Sequence, residues 1–493
     1  MNKAKLTIIY VIALAVAAKG LGLFRDIIIT NKIGFNYVTD AIFIVIPFIT
    51  LVFSVFNTVI RTSFRPMFAS EFIDNPKKTM YNFKVLRNSL AGILFVISIV
   101  IFLFPSAVIY VFVPGVDEET ANLATKMLKY SIFSLVFIGL VNIYNGFLQS
   151  VKVYGSEQYI SLINNIIFIL GLLFLYDAWG IHAIVFSILV GGLAQYIYIK
   201  VKFQFLTPSK DKVLAFDFKY LSKFANENKL IVYGGILSQL TVMVDKFIAS
   251  FLKEGSITAL HYASILNNLP ITMVLMIITN IYFTNLSIDF NRDKDSFRKG
   301  IIVQTEKLLL FIIPIVVTFI LLSSSIVRIL FDRGNFESAG INMISSALMA
   351  YSIGLLFWSF KDVYMKAFYA AGNKAVPFSI TVNSLFLNLI FSVILGYFFG
   401  HVGIAMATTI SIMVNTFFII YFFNKKVDKT FGRFQYIYIV KMITIGCILL
   451  FSSSFIVSFI QLTIYMDILI KVIIILLIYV VLVKLFKVER GSV

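Results

Sequence analysis

Residues 376–399 read VPFSITVNSLFLNLIFSVILGYFF, and residues 401–423, beyond Gly400, read HVGIAMATTISIMVNTFFIIYFF. Neither run holds an Asp, Glu, Lys or Arg, and each exceeds the roughly 20 residues a helix needs to cross a hydrocarbon core. Both are continuous and lack the ten-residue alternation of lipid-facing strands, so they predict membrane helices and not barrel strands. Working outward, similar runs occur at 6–30, 41–68, 88–113, 128–149, 159–176, 180–201, 230–252, 258–287, 303–331, 341–368, 436–460 and 464–486, which makes 14 in all. The chain is thus expected to be an all-α polytopic membrane protein of about 14 transmembrane helices.

Composition agrees with that reading. Of 493 residues, 60% are hydrophobic and only 13% charged, yet the net charge is +18, and the mean hydropathy is +0.94. A basic soluble protein that binds nucleic acid would need a polar surface that this composition cannot supply. The single cysteine, Cys447, excludes an intramolecular disulfide and a cysteine metal cluster.

Loop charge sets the expected orientation. Alternate loops, starting after the first run, hold Lys32, Lys126, Lys129, Lys253 and Arg333 against nine acidic residues, a net of −4. Lys19, Arg25, Arg61, Arg65, Lys246, Arg328, Lys361, Lys441 and Lys471 against Asp26, Asp245 and Asp362 give a net +6 assigned to the membrane, and the other charges, counted with the termini and remaining loops, give +16. This asymmetry predicts an even number of spans with both termini in the cytoplasm. The polar link from about Phe203 to Lys229, with Lys210, Lys212, Lys219 and Lys223, reads as a cytoplasmic linker. The expected plan is a six-helix bundle (1–205), a basic linker (206–229), a second six-helix bundle (230–424), and an extra helix pair with a cytoplasmic tail (425–493).

The two bundles read as a duplication. Ser161-Leu-Ile-Asn-Asn165 matches Ser384-Leu-Phe-Leu-Asn388, and Gly180-Ile181 matches Gly403-Ile404 at the same offset. Gly146-Phe-Leu-Gln149 parallels Ala367-Phe-Tyr-Ala370, and Arg25-Asp26 falls where Val244-Asp245 does. Internal duplication is common in transporters.

Charge at bilayer depth is costly, so charged residues there should face a cavity, a partner or an interface. The first run contains Ala18-Lys-Gly-Leu-Gly-Leu-Phe-Arg-Asp26. Lys19 and Asp26 share nearly one helix face, with Arg25 about a quarter turn away. The cations and glycines suit an anion site for a phosphate group, against a plainer reading of an interfacial Lys and an Arg-Asp pair. In the second run Ser54, Asn57, Arg61 and Arg65 form one stripe, with Asp40 at its outer end and Pro66 marking an irregularity. Arg61 and Arg65 either bind ligand or snorkel to the inner headgroups. A dispersed third set comprises Asp245-Lys246, Lys361-Asp362, Asn383, Asn388, Thr408 and Thr409. Asp245, Asn383 and Thr409 supply oxygens suited to a monovalent cation, although interhelical hydrogen bonding is the commoner role of such residues. No P-loop occurs, and His182, His261 and His401 lack ligand spacing and read as packing or interfacial residues. A catalytic role is therefore not expected, and no metal or cofactor beyond a coupling cation or the membrane potential.

The run Gly20-Leu-Gly-Leu-Phe-Arg-Asp26, then Gly34, Thr39-Asp-Ala41 and Phe64-Arg-Pro66, resembles the opening of the lipid II flippase family (MurJ, formerly MviN). Asp245 to Leu252, Tyr262-Ala263, Pro270, Leu330 to Phe336, Ala350 to Gly354 and Lys361 to Tyr369 continue the resemblance in order. The resemblance implies an alternating-access exporter of the multidrug/oligosaccharidyl-lipid/polysaccharide superfamily, monomeric, in the bacterial cytoplasmic membrane. Two bundles would enclose a cationic cavity for a polyprenyl-pyrophosphate-linked saccharide, and the last two helices would hold its tail. Substrate-binding roles would fall to Lys19, Arg25, Asp26, Asp40, Asn57, Arg61, Arg65 and Lys361. Anionic lipids are the expected further partner, and nucleic acid is not. Lys19 replaces a family Arg, the second run lacks the family's adjacent Arg pair, and Ser264-Ile265 stands where a charged pair is frequent. Alternatives are a flippase for another polyprenyl-linked saccharide, a cation-coupled drug exporter, or a membrane glycosyltransferase.

Overall fold

A computed structural model describes residues 3–60, 64–151, 153, 155–206, 217–272, 286, 289–290, 292–332, 338–373, 375–427, 433–459 and 464–486. The described residues form helices joined by short turns, with no strand among them. The chain divides into two compact units, Met1–Phe247 and Ile248–Val493.

In the first unit the helices are α1 (Lys3–Ile33), α2 (Tyr37–Val59), α3 (Arg65–Asp74), α4 (Pro76–Leu103), α5 (Pro105–Phe112), α6 (Glu118–Ser131), α7 (Ser134–Ser150), α8 (Ser156–Leu170), α9 (Tyr176–Trp179), α10 (Ile181–Leu206) and most of α11 (Phe218–Ala249). Their starts follow from capping chemistry. Asn36 accepts hydrogen bonds from the Val38 and Thr39 amides (3.0 and 3.4 Å) while the Thr39 hydroxyl accepts from the Asn36 amide (3.1 Å), a reciprocal cap that fixes α2. Asp117 caps α6 and is followed by Glu118 and Glu119, which suit the positive end of the helix dipole. Asn75 caps α4, and Pro76 opens it without losing a hydrogen bond. α1 packs on α8, α10 on α7 and α8, and α2 and α4 on α7. At the end where α4 begins, Phe83 lies 4.7 Å from Phe147 and 5.1 Å from Phe203 between ring centroids, and forms an aromatic core.

In the second unit the helices are α12 (Ser256–Pro270), α13 (Lys294–Phe331), α14 (Ser338–Ala370), α15 (Ala375–Lys426), α16 (Arg433–Ser458) and α17 (Ile464–Leu485). Leu308, Ile312, Tyr364, Phe368 and Phe423 lie at the centre of its core, with Met442, Ile445 and Ile475 of the last two helices packed in. Tyr479 and Tyr438 donate hydrogen bonds to the Leu310 and Glu306 carbonyls (2.8 and 3.3 Å), which fastens α17 and α16 to α13. α15 is clamped to α14 by two hydroxyls one heptad apart. Thr409 donates to the Ala350 carbonyl (2.8 Å) and Thr416 to the Phe357 carbonyl (2.9 Å), the close small-residue packing expected where lipid offers no hydrophobic drive.

Among the described residues nine helices are long and apolar enough to cross a membrane, or up to eleven if each of two bent pairs counts as one span. The 52-residue α15 is itself two spans, since Gly400 (φ 60°, ψ −139°) breaks it between the two runs quoted above. The helical polytopic architecture is as expected, although the run 88–113 breaks at Phe104 between α4 and α5 and the run 128–149 at residues 132–133 between α6 and α7. Residues 273–285 of the expected eighth span lie outside the described set.

The backbone also refines the internal repeat. Gly180 (φ 53°, ψ −131°) adopts nearly the conformation of Gly400, so its conformational counterpart is Gly400 and not Gly403. Fifteen residues separate Asn165 from Gly180, but only twelve separate Asn388 from Gly400. The longer stretch contains the π-turn Gly171–Leu175 and the short α9, which take up the difference. Gly403 has a different reason to be glycine, because a Cβ there would lie 1.9 Å from the Leu395 carbonyl oxygen.

Gly403→Ala should therefore destabilise the protein by about 2–3 kcal/mol, since fixed backbone cannot yield as a side chain can. Gly92→Ala, in open space on α4, should instead stabilise by about 0.5–1 kcal/mol. Thermal unfolding of both variants in one detergent reads the contrast, and equal behaviour would contradict the close approach.

Candidate functional site

The polar residues of α1 are organised by α8. Arg25 donates from Nε and Nη2 to Asp26 Oδ1 (3.0 and 2.7 Å) and from Nη1 to Asn165 Oδ1 (3.2 Å). Asn165 in turn donates to the Ala18 carbonyl (3.4 Å), so one amide bridges two turns of α1. The Phe168 ring lies beneath the guanidinium, 5.3 Å from it. Asp26 is buried and Arg25 nearly so, with side chains 3% and 18% exposed. A guanidinium carries five N–H donors. Three are engaged here, which leaves two for a ligand.

Arg25 also lines a cavity of about 80 Å³ inside the first unit, together with Thr50, Asn164, Phe168 and Gln195 and apolar residues of α2, α7 and α10. Gln195 donates to Asn164 Oδ1 (2.8 Å), which turns two amides toward the same space. The volume and polar rim suit a few ordered waters or a small anionic group. Asn164, Asn165, Gln195 and Thr50 were absent from the expected site. The consecutive Asn164-Asn165 amides within an apolar run were the available signal.

Other expected residues fall elsewhere. Lys19 is exposed on α1. Asp40 is buried in the first turn of α2, and Lys246 donates to the Phe43 carbonyl one turn farther along that helix. Asn57 is half-buried on α2, where Ser54 bonds back to the Leu51 carbonyl (2.7 Å). Arg61 lies outside the described residues, and Arg65 is the first residue of α3. The expected stripe is thus described at Ser54 and Asn57 of α2, while its Arg61 is not.

In the second unit Asp362 Oδ2 pairs with Lys366 Nζ at 2.9 Å, a charge contact that leaves that oxygen without hydrogen-bond geometry. Lys361 is half-buried beside it and forms no salt bridge among the described residues. Thr408 donates to Asn388 Oδ1 (3.3 Å) and Thr409 to the Ala350 carbonyl. These hydroxyls serve as interhelical ties, which favours the structural reading of this set. Asn383 is half-buried in the same unit, whereas Asp245 belongs to the first. His401 is buried between the Met343 carbonyl (3.1 Å) and Ser346 (3.3 Å), a packing role. Among the described residues no group of three or more His, Cys, Asp or Glu could hold a metal.

Comparison with known proteins adds to this geometry. The model of the family "Lipid II flippase MurJ" matches residues 29–485. A probable lipid II flippase MurJ from Buchnera aphidicola subsp. Schizaphis graminum is 26% identical over 454 residues, covering 89% of this chain and 87% of that protein. The lipid II flippase MurJ of Thermosipho africanus is 25% identical over 403 residues, covering 81% and 82%. Among solved structures, a lipid II flippase MurJ in an inward closed conformation superposes with a TM-score of 0.85 at 26% identity, covering 97% of this chain and 99% of that one. An inward-facing multidrug resistance MATE transporter shares the fold at a TM-score of 0.70 and 13% identity, covering 82% and 93%.

Breaking the buried Arg25–Asp26 pair on one side should cost about 3 kcal/mol, because an uncompensated charge remains. Asp26→Ala is thus expected to unfold at lower temperature than the double variant Arg25→Met with Asp26→Leu. A double variant less stable than Asp26→Ala would show that the pair is not what burial there depends on.

Proposed function

The chain belongs to the lipid II flippase MurJ family, and from that premise we propose that it carries lipid II from the cytoplasmic to the outer leaflet of a bacterial cytoplasmic membrane for cell-wall synthesis. Both termini are cytoplasmic in this reading, as the loop-charge asymmetry requires. The observation that carries it at residue level is Arg25, largely buried, held by Asp26 and Asn165 through three of its five donors, and lining a cavity that also presents Thr50, Asn164 and Gln195.

Lipid II bears a pyrophosphate. Its charge must be kept paired while it crosses a low-dielectric region, and a guanidinium bonds two phosphate oxygens at once. Asp26 and Asn165 prevent Arg25 from swinging to an interface, and so keep the charge at depth. Lys19 adds a flexible point charge one face away on α1, suited to accompany a moving headgroup and not to fix its geometry. In this reading alternating access moves the headgroup, and the pair α16–α17, anchored to α13 through Tyr438 and Tyr479, provides an apolar support for the polyprenyl tail.

Arg25→Ala should lower flipping of lipid II in proteoliposomes by roughly 30-fold, the equivalent of about 2 kcal/mol for a hydrogen-bonded charge. Arg25→Lys should retain an intermediate rate. The same Arg25→Ala chain, expressed at normal level in a flippase-depleted strain, should fail to restore growth. Full complementation would remove Arg25 from the transport path.

A further inference from the structure

A second cationic cluster lies outside the Arg25 cavity, at the end of the first unit where α4 begins and α7 and α10 finish. Arg87 of α4 donates from Nε and Nη2 to Asn88 Oδ1 (3.0 and 2.7 Å) and from Nη1 to the Tyr144 hydroxyl (3.1 Å). Its guanidinium lies over the rings of Phe83 and Tyr144, 5.9 Å from each. The Tyr144 ring is 6.2 Å from that of Tyr196, and Lys200 holds its ammonium 5.4 Å over Tyr196. Two cations are thus linked through two tyrosines, and no carboxylate pairs with either among the described residues.

Interface anchoring alone does not account for this arrangement. Lys200, six residues from the end of α10, could snorkel unaided. Arg87 stands just before the apolar run 88–113, at headgroup level, yet it is held by specific bonds that leave two donors unused. Beside Lys200, α10 turns an exposed apolar strip outward. Val201, Ile197 and Leu193 are 44%, 52% and 41% exposed and rise one turn at a time from the cationic cluster. A phosphate at Arg87 and Lys200 would place an attached hydrocarbon chain along that strip. Two uncompensated cations favour a headgroup of net negative charge over a zwitterionic one, whose ammonium they would repel.

We propose that Arg87 and Lys200, framed by Tyr144 and Tyr196, form a binding site for the phosphate of an anionic phospholipid whose acyl chain lies along Leu193, Ile197 and Val201. The site is distinct from the Arg25 cavity, which is lined by other side chains of α1, α2, α8 and α10. It holds a membrane lipid as a partner of the first unit and does not carry cargo.

Native mass spectrometry of the full chain, delipidated and then titrated with phosphatidylglycerol or phosphatidylcholine, tests this. The unmodified chain should retain phosphatidylglycerol about 10-fold better, the ratio given by about 1.4 kcal/mol. Lys200→Glu, on an exposed side chain, and Arg87→Gln should each reduce that preference to within about twofold of phosphatidylcholine. Lys223→Glu, an exposed lysine of α11 paired with Glu227, should leave it unchanged. Thermal midpoints in neutral detergent identify any variant that fails to fold, and Lys200→Glu alone then decides. Equal retention of the two lipids, an unchanged preference in Lys200→Glu, or an equal loss in Lys223→Glu would overturn the site. Competition by purified lipid II and by inorganic phosphate separates the sources. Displacement by lipid II at concentrations where phosphatidylglycerol is not displaced by its own excess would assign the cluster to cargo and overturn the proposal.

Discussion

The polar contacts that tie these helices together answer to one constraint: a polar group at bilayer depth is costly unless it finds a partner within the protein. Helices meet it for the backbone. For side chains it is met locally, and Asn165 shows how. A single amide accepts from Arg25 and donates to the Ala18 carbonyl, so it ties α8 to two turns of α1 and fixes the direction of the guanidinium. The same logic in the second unit uses threonine, whose hydroxyls at 409 and 416 bond carbonyls at 350 and 357. The equal heptad spacing on both helices allows two bonds from one packing register.

Much of the fold was legible in the sequence, because a run of about 20 apolar residues has few alternatives to a membrane helix. The break between two spans at Gly400 was legible as well, and its positive φ agrees with the division of the two runs although no charged residue marks it. The register of the repeat was less legible. The match of Gly180 with Gly403 followed residue identity. Backbone conformation instead aligns Gly180 with Gly400, since the π-turn at Gly171–Leu175 lengthens the first repeat. Apolar sequence carries little register information, so three residues of slippage cost nothing at the level of pattern.

The site was legible only in part, for a different reason. Arg25 and Asp26 stand out because charges are rare in such a chain, and the structure places them in one buried pair. Asn164, Asn165 and Gln195 are neutral, and neutral amides in membrane helices are common enough to pass as packing residues. The convergence of Asn164 and Gln195 on the cavity that Arg25 lines, with Asn165 holding the guanidinium, depends on the crossing of α1, α8 and α10, which no spacing rule along a single helix encodes. Arg87 and Lys200 were hidden in the same way, since each alone resembles an interfacial anchor and only their shared tyrosines bring them together.

Charge pairing then separates the cations by role. Lys32 is closed by Asp177 (2.7 Å), Lys366 by Asp362 and Lys471 by Asp467 (2.7 Å), each with a carboxylate supplied by the same unit. Two of these pairs are spaced i,i+4 on one helix, an arrangement that neutralises charge where it arises and has little left to offer a ligand. Lys246 is tied to a backbone carbonyl of α2. Arg25 differs in being held by a carboxylate and an amide that use only three of its donors, and Arg87 in being held by neutral groups alone. In a low-dielectric surround a fixed cation with unused donors is more strongly attractive to a phosphate than a mobile one in water. A cation closed by its own neighbour has given up that attraction. The side chains proposed to act on anionic ligands are thus those whose partners orient them without satisfying them.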